Sequence, residues 1–273
     1  MSLKTRDLSP LIGSEVIADA ATLLGGGLSA EIKAKLTERG VLVFRGAHFD
    51  DAELNAFAAG VAPIDNQDER GNYKVTMDPE LNPHALVLYG TRAWHMDRLD
   101  TALPPLGTLL TPRVLSLEGG DTEFANTYAA YEALSDADKA LIEHLEVEHT
   151  TAHQLTKVEV PVGMAALKGL QGMDSGRVHP LVWRHRSGRK SLVLGWTATR
   201  VMGMDKAESD ALIARLIAHA EQPQFVYRHQ WQMGDVVMWD NTGTMHRVQP
   251  FEEGSRRYLH RVTLAGEEPL VAA

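Results

Sequence analysis

Cysteine is missing from all 273 residues. That one absence excludes disulfides, thiolate zinc sites, iron–sulfur clusters and cysteine nucleophiles. Any metal must then be held by imidazole and carboxylate, donors that suit iron, manganese or zinc. Long apolar runs are missing too: none approaches the ~18 residues of a membrane span, and the start, "MSLKTRDLSPLIG", has no apolar leader core. The chain is therefore expected to be cytoplasmic, with no membrane partner. No block of lysine and arginine forms a phosphate-binding stripe, and the net charge is −9, so a general nucleic-acid binder is excluded. Repeats, low-complexity tracts and linkers are also lacking, and residues 1–273 are expected to form one domain.

What is present is a set of short strands punctuated by capped helices. "DDAELNAFAAG" offers Asp50-x-x-Glu53 as a capping box with Gly60 as the stop. "SDADKALIEHL" starts at Ser135 and sets Ala140, Leu141 and Leu145 on one helical face, and "DKAESDALIARLIAHAE" starts at Asp205 with Leu212, Ile213, Leu216 and Ile217 in a stripe. A shorter helix, "AEIKAKLTERG", ends at Gly40. Strands are expected at 40–46, 85–90, 107–117, 190–195, 225–231, 235–240 and 256–264, with turns such as "GG" at 119–120 between them. They do not alternate with helices, which argues against a doubly wound parallel sheet. A mainly β barrel or sandwich with flanking helices fits better.

Within that frame "TRAWHMDRLD" places His95 and Asp97 two residues apart. On extended backbone both point to one face and can reach one ion. The spacing alone is weak, because twelve histidines and seventeen aspartates give about 0.7 such pairs by chance. "AHFDD" is a decoy of that kind: His48-x-Asp50 has the same spacing, but Asp50 is the helix cap. A two-histidine, one-carboxylate site needs a further histidine. His149, His153, His179, His185, His219, His229, His246 and His260 are the candidates, and His246 is preferred because it follows a strand and a polar turn, "DVVMWDNTGTM".

The strand "SRRYLHRVTL" carries a second signal. Its period of two puts Arg257, Leu259, Arg261 and Thr263 on one face, with the two arginines about 13 Å apart at ~3.3 Å per residue. Facing inward, they would need anionic partners, which bidentate contacts to small carboxylate-bearing molecules supply. Facing outward, they would simply be solvated.

Taken together, "WHMD" (94–97), "GGDTEFANTYAAYEALSD" (119–136), "HPLVWRHRSGRKSLVL" (179–194), "WDNTGTMHR" (239–247) and "SRRYLHRVTL" (255–264) resemble the TauD/TfdA family. These are the taurine/2,4-dichlorophenoxyacetate dioxygenase-like, Fe(II)- and 2-oxoglutarate-dependent oxygenases. The resemblance implies a double-stranded β-helix, or jelly-roll, core with helices outside. By position it implies His95, Asp97 and His246 as iron ligands, Thr122 and Arg257 as contacts of 2-oxoglutarate, and Arg261 as an arginine that binds the substrate's anionic end or lies near the cosubstrate. Trp239, Asp240 and Asn241 are expected to shape the turn that presents His246. Where the taurine enzyme has a sulfonate-holding histidine this chain offers Asn66, which disfavours taurine itself; Asn66 and Arg92 join Arg261 as candidate substrate contacts.

The implied reaction consumes 2-oxoglutarate and O2, releases succinate and CO2, and hydroxylates a small anionic substrate such as a sulfonate or an aryloxyalkanoate. A carboxylate ligand at Asp97 favours hydroxylation over halogenation. Collapse of a product hydroxylated beside a heteroatom would release sulfite, a phenol or an aldehyde. A homo-oligomer, dimer or tetramer, is compatible with the sequence. The rival reading is a silent or zinc-loaded jelly-roll binding protein.

Overall fold

The computed structural model describes residues 2–65, 72–82, 85–150, 176–252 and 254–272. Its largest sheet has seven strands. In spatial order these are β1 (Thr5–Asp7), β2 (Ser14–Val16), β3 (Val41–Phe44), β13 (Val236–Asp240), β5 (Gly107–Val114), β15 (Tyr258–Leu264) and β4 (Tyr73–Thr76). All neighbours are antiparallel except β2 and β3. A second sheet, β12 (Val226–His229), β6 (Thr122–Asn126) and β14 (Thr244–Val248), closes the other side of the barrel. Outside it lie a three-stranded sheet, β11 (Ala198–Val201), β7 (Glu146–His149) and β8 (Arg177–Pro180), and the hairpin β9 (Val182–Arg184) with β10 (Lys190–Leu192). This is the jelly-roll architecture expected from the sequence.

Why "VLVF" and "VVMWD" are apolar on both faces follows from the layers. Val41, Val43, Val237 and Trp239 fill the barrel interior with Leu110, Phe124 and Leu259. The alternate residues Leu42, Phe44, Val236 and Met238 pack outward under a helical layer. That layer contains α1 (Ala20–Leu24), α2 (Ser29–Arg39) and α3 (Asp51–Val61), whose Leu23, Ile32, Leu36, Leu54 and Phe57 are buried. A strand covered on both faces reads as a continuous hydrophobic run. The second sheet is covered by α4 (Thr127–Glu132), α5 (Asp136–Ile142) and α6 (Lys206–Ala220), around a separate core that includes Trp183, Leu192, Val147 and Leu216.

Several expectations need correction. The capping box of α3 is present, but the helix runs through Gly60 to Val61; Gly60 is instead a close-packing position, where a Cβ would come within 3.1 Å of Ser29 Oγ on α2. In α5, Ile142 is buried, whereas Ala140 and Leu141 face solvent. The apolar segment at 85–90 is not a strand but part of a 3-10 segment, Ala85–Arg92, that leads into the cleft. His246, by contrast, follows a strand, β13, and a polar turn as expected, and it lies within β14, paired with Phe124 of β6. Asn66 and His153 lie outside the described residues.

Candidate metal and cosubstrate site

The two candidate histidines meet through backbone pairing. His95 N donates to His246 O at 3.0 Å and His246 N donates to His95 O at 2.8 Å, so the segment at His95 adds to the edge of β14. Residues directly opposite on an antiparallel pair project their side chains to the same side. The imidazole centroids are accordingly 4.0 Å apart inside the barrel. Trp94 and Met96 alternate to the other face and enter the outer core with Met245, which leaves His95 and Asp97 pointing in. The i, i+2 rule applied to "WHMD" describes this segment correctly.

One ligating atom from each of His95, Asp97 and His246 lies within 4.8 Å of the others, and no other such cluster occurs among the described residues. His246 Nε2 is 3.7 Å from Asp97 Oδ1. His95 Nδ1 is 2.9 Å from Ala93 O, which fixes the tautomer: Nδ1 donates, and Nε2 keeps a lone pair for a ligand. Asp97 Oδ2 accepts from Thr108 Oγ1 at 3.0 Å. The Asn241 side chain grips the Asp97 backbone twice, accepting from its N–H at 2.8 Å and donating to its carbonyl at 2.9 Å.

Electrostatics leave the three groups ready for a cation. Burial pushes His95 below the usual imidazole range, and burial with repulsion from His95 brings His246 down to about 3. Asp97 resists its own burial because His246, Arg261 and His95 favour its anion, and it sits at about 2. At neutral pH the set is two neutral imidazoles and one carboxylate, the donor set a divalent non-haem metal takes.

Around this trio a cleft of about 750 Å³, its open mouth included, is lined by Arg92, Thr122, Arg257 and Arg261 and by apolar walls such as Leu88 and Val248. Arg257 is buried, and burial lowers it to about 10, with Asp121 partly opposing the shift. Its Nη2 donates to Gly120 O at 3.0 Å, while its Nε has no partner among the described residues. Gly120, at φ +80°, makes room for it: a Cβ there would sit 2.8 Å from Arg257 Nε. An underused buried guanidinium on a cleft wall suits a carboxylate. Arg261 Nη1 lies 3.8 Å from Asp97 Oδ1, with its guanidinium 4.5 Å over the Tyr73 ring. Arg92 is exposed at the mouth, against Tyr89 and Phe251.

The remaining histidines named from the sequence are engaged elsewhere. His149 pairs with Thr197, His179 with Leu99 O, His185 with Ser191, His219 with Ala130 O, His229 with Tyr227, and His260 with Asp51. His48 is exposed, and its neighbour Asp50 caps α3, as the decoy reading requires. Sequence reasoning missed Thr108, Phe251, Trp231 and the direct grip of Asn241 on Asp97. The only signal for Asn241 was its place in the turn before His246.

A jelly-roll barrel with a histidine–carboxylate–histidine cluster and arginines on one cleft defines a metal-dependent enzyme site that takes organic anions. Its lineage is specific: the chain belongs to the "Taurine catabolism dioxygenase TauD, TfdA family", whose model matches residues 4–263. The chain is 32% identical to the alpha-ketoglutarate-dependent 2,4-dichlorophenoxyacetate dioxygenase of Burkholderia sp. (strain RASC), over 97% of this chain and 95% of that protein. It is 30% identical to the alpha-ketoglutarate-dependent sulfate ester dioxygenase of Pseudomonas putida, over 92% and 83% of the two chains. Among solved structures it is similar to AAD-2 in complex with Mn(II) and N-oxalylglycine, with a TM-score of 0.82, 32% identity, and coverage of 98% of this chain and 99% of that one. The chain is a 2-oxoglutarate-dependent non-haem iron dioxygenase, with Fe(II) as cofactor and 2-oxoglutarate and O2 as cosubstrates. No helix among the described residues is long and apolar enough to cross a membrane.

Proposed function

We propose that this enzyme hydroxylates a small organic anion with an apolar body, an aryloxyalkanoate or an alkyl sulfate ester, at the carbon bearing the ether or ester oxygen. In this reading His95, Asp97 and His246 hold the iron, Thr122 and Arg257 hold 2-oxoglutarate, and Arg261 receives the substrate's anionic group. The observation that carries it is the shared cleft: a deprotonated three-donor cluster and two inward arginines line one cavity with apolar walls. When bound, Fe(II) couples 2-oxoglutarate decarboxylation to O2 reduction and substrate hydroxylation. The protein's own work is positioning and exclusion of water. Ala93 and Thr108 aim His95 and Asp97, Arg257 anchors a carboxylate, and Val75, Met77, Leu88, Leu110 and Val248 keep the reacting carbon in an apolar setting.

The relatives that act on 2,4-dichlorophenoxyacetate and on sulfate esters support this substrate class, as does the finding that Asp97 is the one acid among the described cleft-lining residues. The family match to residues 4–263 supports one catalytic domain spanning the chain. Dependence on Fe(II) and 2-oxoglutarate suits a cytoplasmic enzyme acting on a small anion, and a homo-oligomer, dimer or tetramer, is compatible with this reading.

Succinate release from 2-oxoglutarate, measured with Fe(II) and a panel of phenoxyalkanoates, alkyl sulfates and taurine, tests the reading. Stimulation by a phenoxyalkanoate or an alkyl sulfate is expected, and His95→Ala should abolish it. A zinc-loaded binding module would yield no Fe(II)-dependent succinate at all. Arg261→Ala should raise the KM of the anionic substrate more than that of 2-oxoglutarate; equal changes would remove Arg261 from the substrate pocket.

A further inference from the structure

Trp231 donates from its indole Nε1 to Thr122 Oγ1 at 3.0 Å. An indole N–H can only donate, so at this contact the threonine must accept. Thr122 is buried and lines the cleft, and among the described residues no group accepts its own O–H proton. That proton therefore has the cleft as its outlet. A carboxylate offers only acceptors, so a hydroxyl already committed to accepting elsewhere is set to donate to it.

We propose that Trp231 is a positioning residue that fixes Thr122 as a hydrogen-bond donor to the carboxylate of 2-oxoglutarate. The proposal rests on the reading that Thr122 touches the cosubstrate. The indole is itself held from behind. Its ring meets His229 edge to face, with centroids 4.5 Å apart at 80°. His229 is fully buried, takes a 3.0 Å hydrogen bond with Tyr227 at Nδ1, and lies 3.2 Å from the Asp235 carboxylate, which Arg45 pairs. A continuous row of contacts thus runs from Arg45 through Asp235 and His229 to the indole at the cleft, and such backing is what holds a contact residue in one rotamer.

The test uses N-oxalylglycine as probe and Mn(II) as a metal that does not turn over, with binding read by calorimetry. Trp231→Phe keeps an aromatic ring and removes the donor. It should weaken N-oxalylglycine about three- to tenfold, the range of one neutral hydrogen bond, and leave Mn(II) affinity unchanged. In turnover, the KM for 2-oxoglutarate should rise by a similar factor with kcat retained. A structural defect would act whatever stands at position 122, so the same change is made in a Thr122→Val background, where it should add nothing. Equal weakening in both backgrounds, or none in the unaltered one, overturns the proposal. Absence of N-oxalylglycine binding by the unmodified enzyme would instead bring down the cosubstrate reading, and this proposal with it. Should Trp231→Phe not fold, the indole N–H resonance of Trp231 in the Thr122→Val protein decides. It should shift and exchange faster with solvent, and an unmoved resonance overturns the proposal.

Discussion

At the scale of single residues, the site depends on groups that never touch the ion. Asn241 is fully buried and spends both ends of its amide on the Asp97 backbone, across 144 positions of sequence. Groups that orient a metal ligand typically contribute 10–100-fold to metal affinity. Asn241→Ala is therefore expected to weaken Mn(II) binding at least about tenfold while N-terminal elements such as α3 stay folded. Calorimetric titration with a circular dichroism control measures this, and unchanged affinity would mean that Thr108 alone suffices. The comparison also shows what a sequence can reveal. His95 and Asp97 are readable because a strand's period of two is local. Thr108 reaches them from β5 and Asn241 from the turn between β13 and β14, and nothing in the spacing of residues 97, 108 and 241 encodes that meeting.

At the scale of elements, capped helices, doubly covered strands and the arginine-bearing β15 were readable, and two strands that carry the candidate site, β6 and β14, were not. "VLVF" and "VVMWD" announce themselves by apolar runs, and α6 by Asp205 with its stripe of leucines and isoleucines. β6 and β14, "TEFAN" and "TMHRV", carry polar residues because one face lines a cleft that must bind ions, so they lack a hydrophobic signature. The segment 85–90 fails in the opposite way: its Leu88, with Thr91 just beyond, faces the cavity from a 3-10 turn rather than a strand. Register between elements is enforced by contact, and Gly195 illustrates it. At φ +139° it lets the chain pass so near the metal segment that a Cβ would lie 3.0 Å from both His95 Cα and Trp94 O, while Trp196 N donates to Trp94 O at 2.7 Å. Gly195→Ala should destabilise the protein by about 1–3 kcal/mol through backbone strain and also loosen metal binding. Urea unfolding with a parallel Mn(II) titration separates the two effects. Stability lost with affinity intact would show that the His95 segment is held by β14 alone.

At the scale of the whole molecule, a chain of net charge −9 concentrates cations at its candidate site: Arg92, Arg257 and Arg261 face a cleft whose only acid among the described lining residues is Asp97. Such a focused positive field draws anions toward a protein that otherwise repels them. The same burial that prepares the site sets the protein's response to acid. Burial is the leading cause that lowers His149 to about 3, His185 to about 4 and His246 to about 3, with His179, Arg189 and His95 respectively adding repulsion. Unfolded, each returns to about 6.5. As pH falls below that value the unfolded chain takes up protons the folded chain refuses, so stability is lost from about pH 6.5 down to the folded values. Each such histidine contributes a slope of up to about 1.4 kcal/mol per pH unit. Asp240 runs the other way: burial raises it to about 6, so it adds stability as pH drops from 6 towards the ordinary carboxylate value of 3.8. One raised carboxylate offsets one lowered histidine, and the others, with His95, His179 and His229 lowered by burial as well, decide the sign. The metal-free enzyme, held in chelator, is thus expected to lose stability steadily between pH 6.5 and 4.5, as followed by urea titrations at fixed pH. His185→Asn, which removes one of these proton acceptors, should make that slope shallower. A stability that holds level or rises on acidification would mean that these imidazoles are protonated inside the fold, and a site built from neutral donors would fall with it.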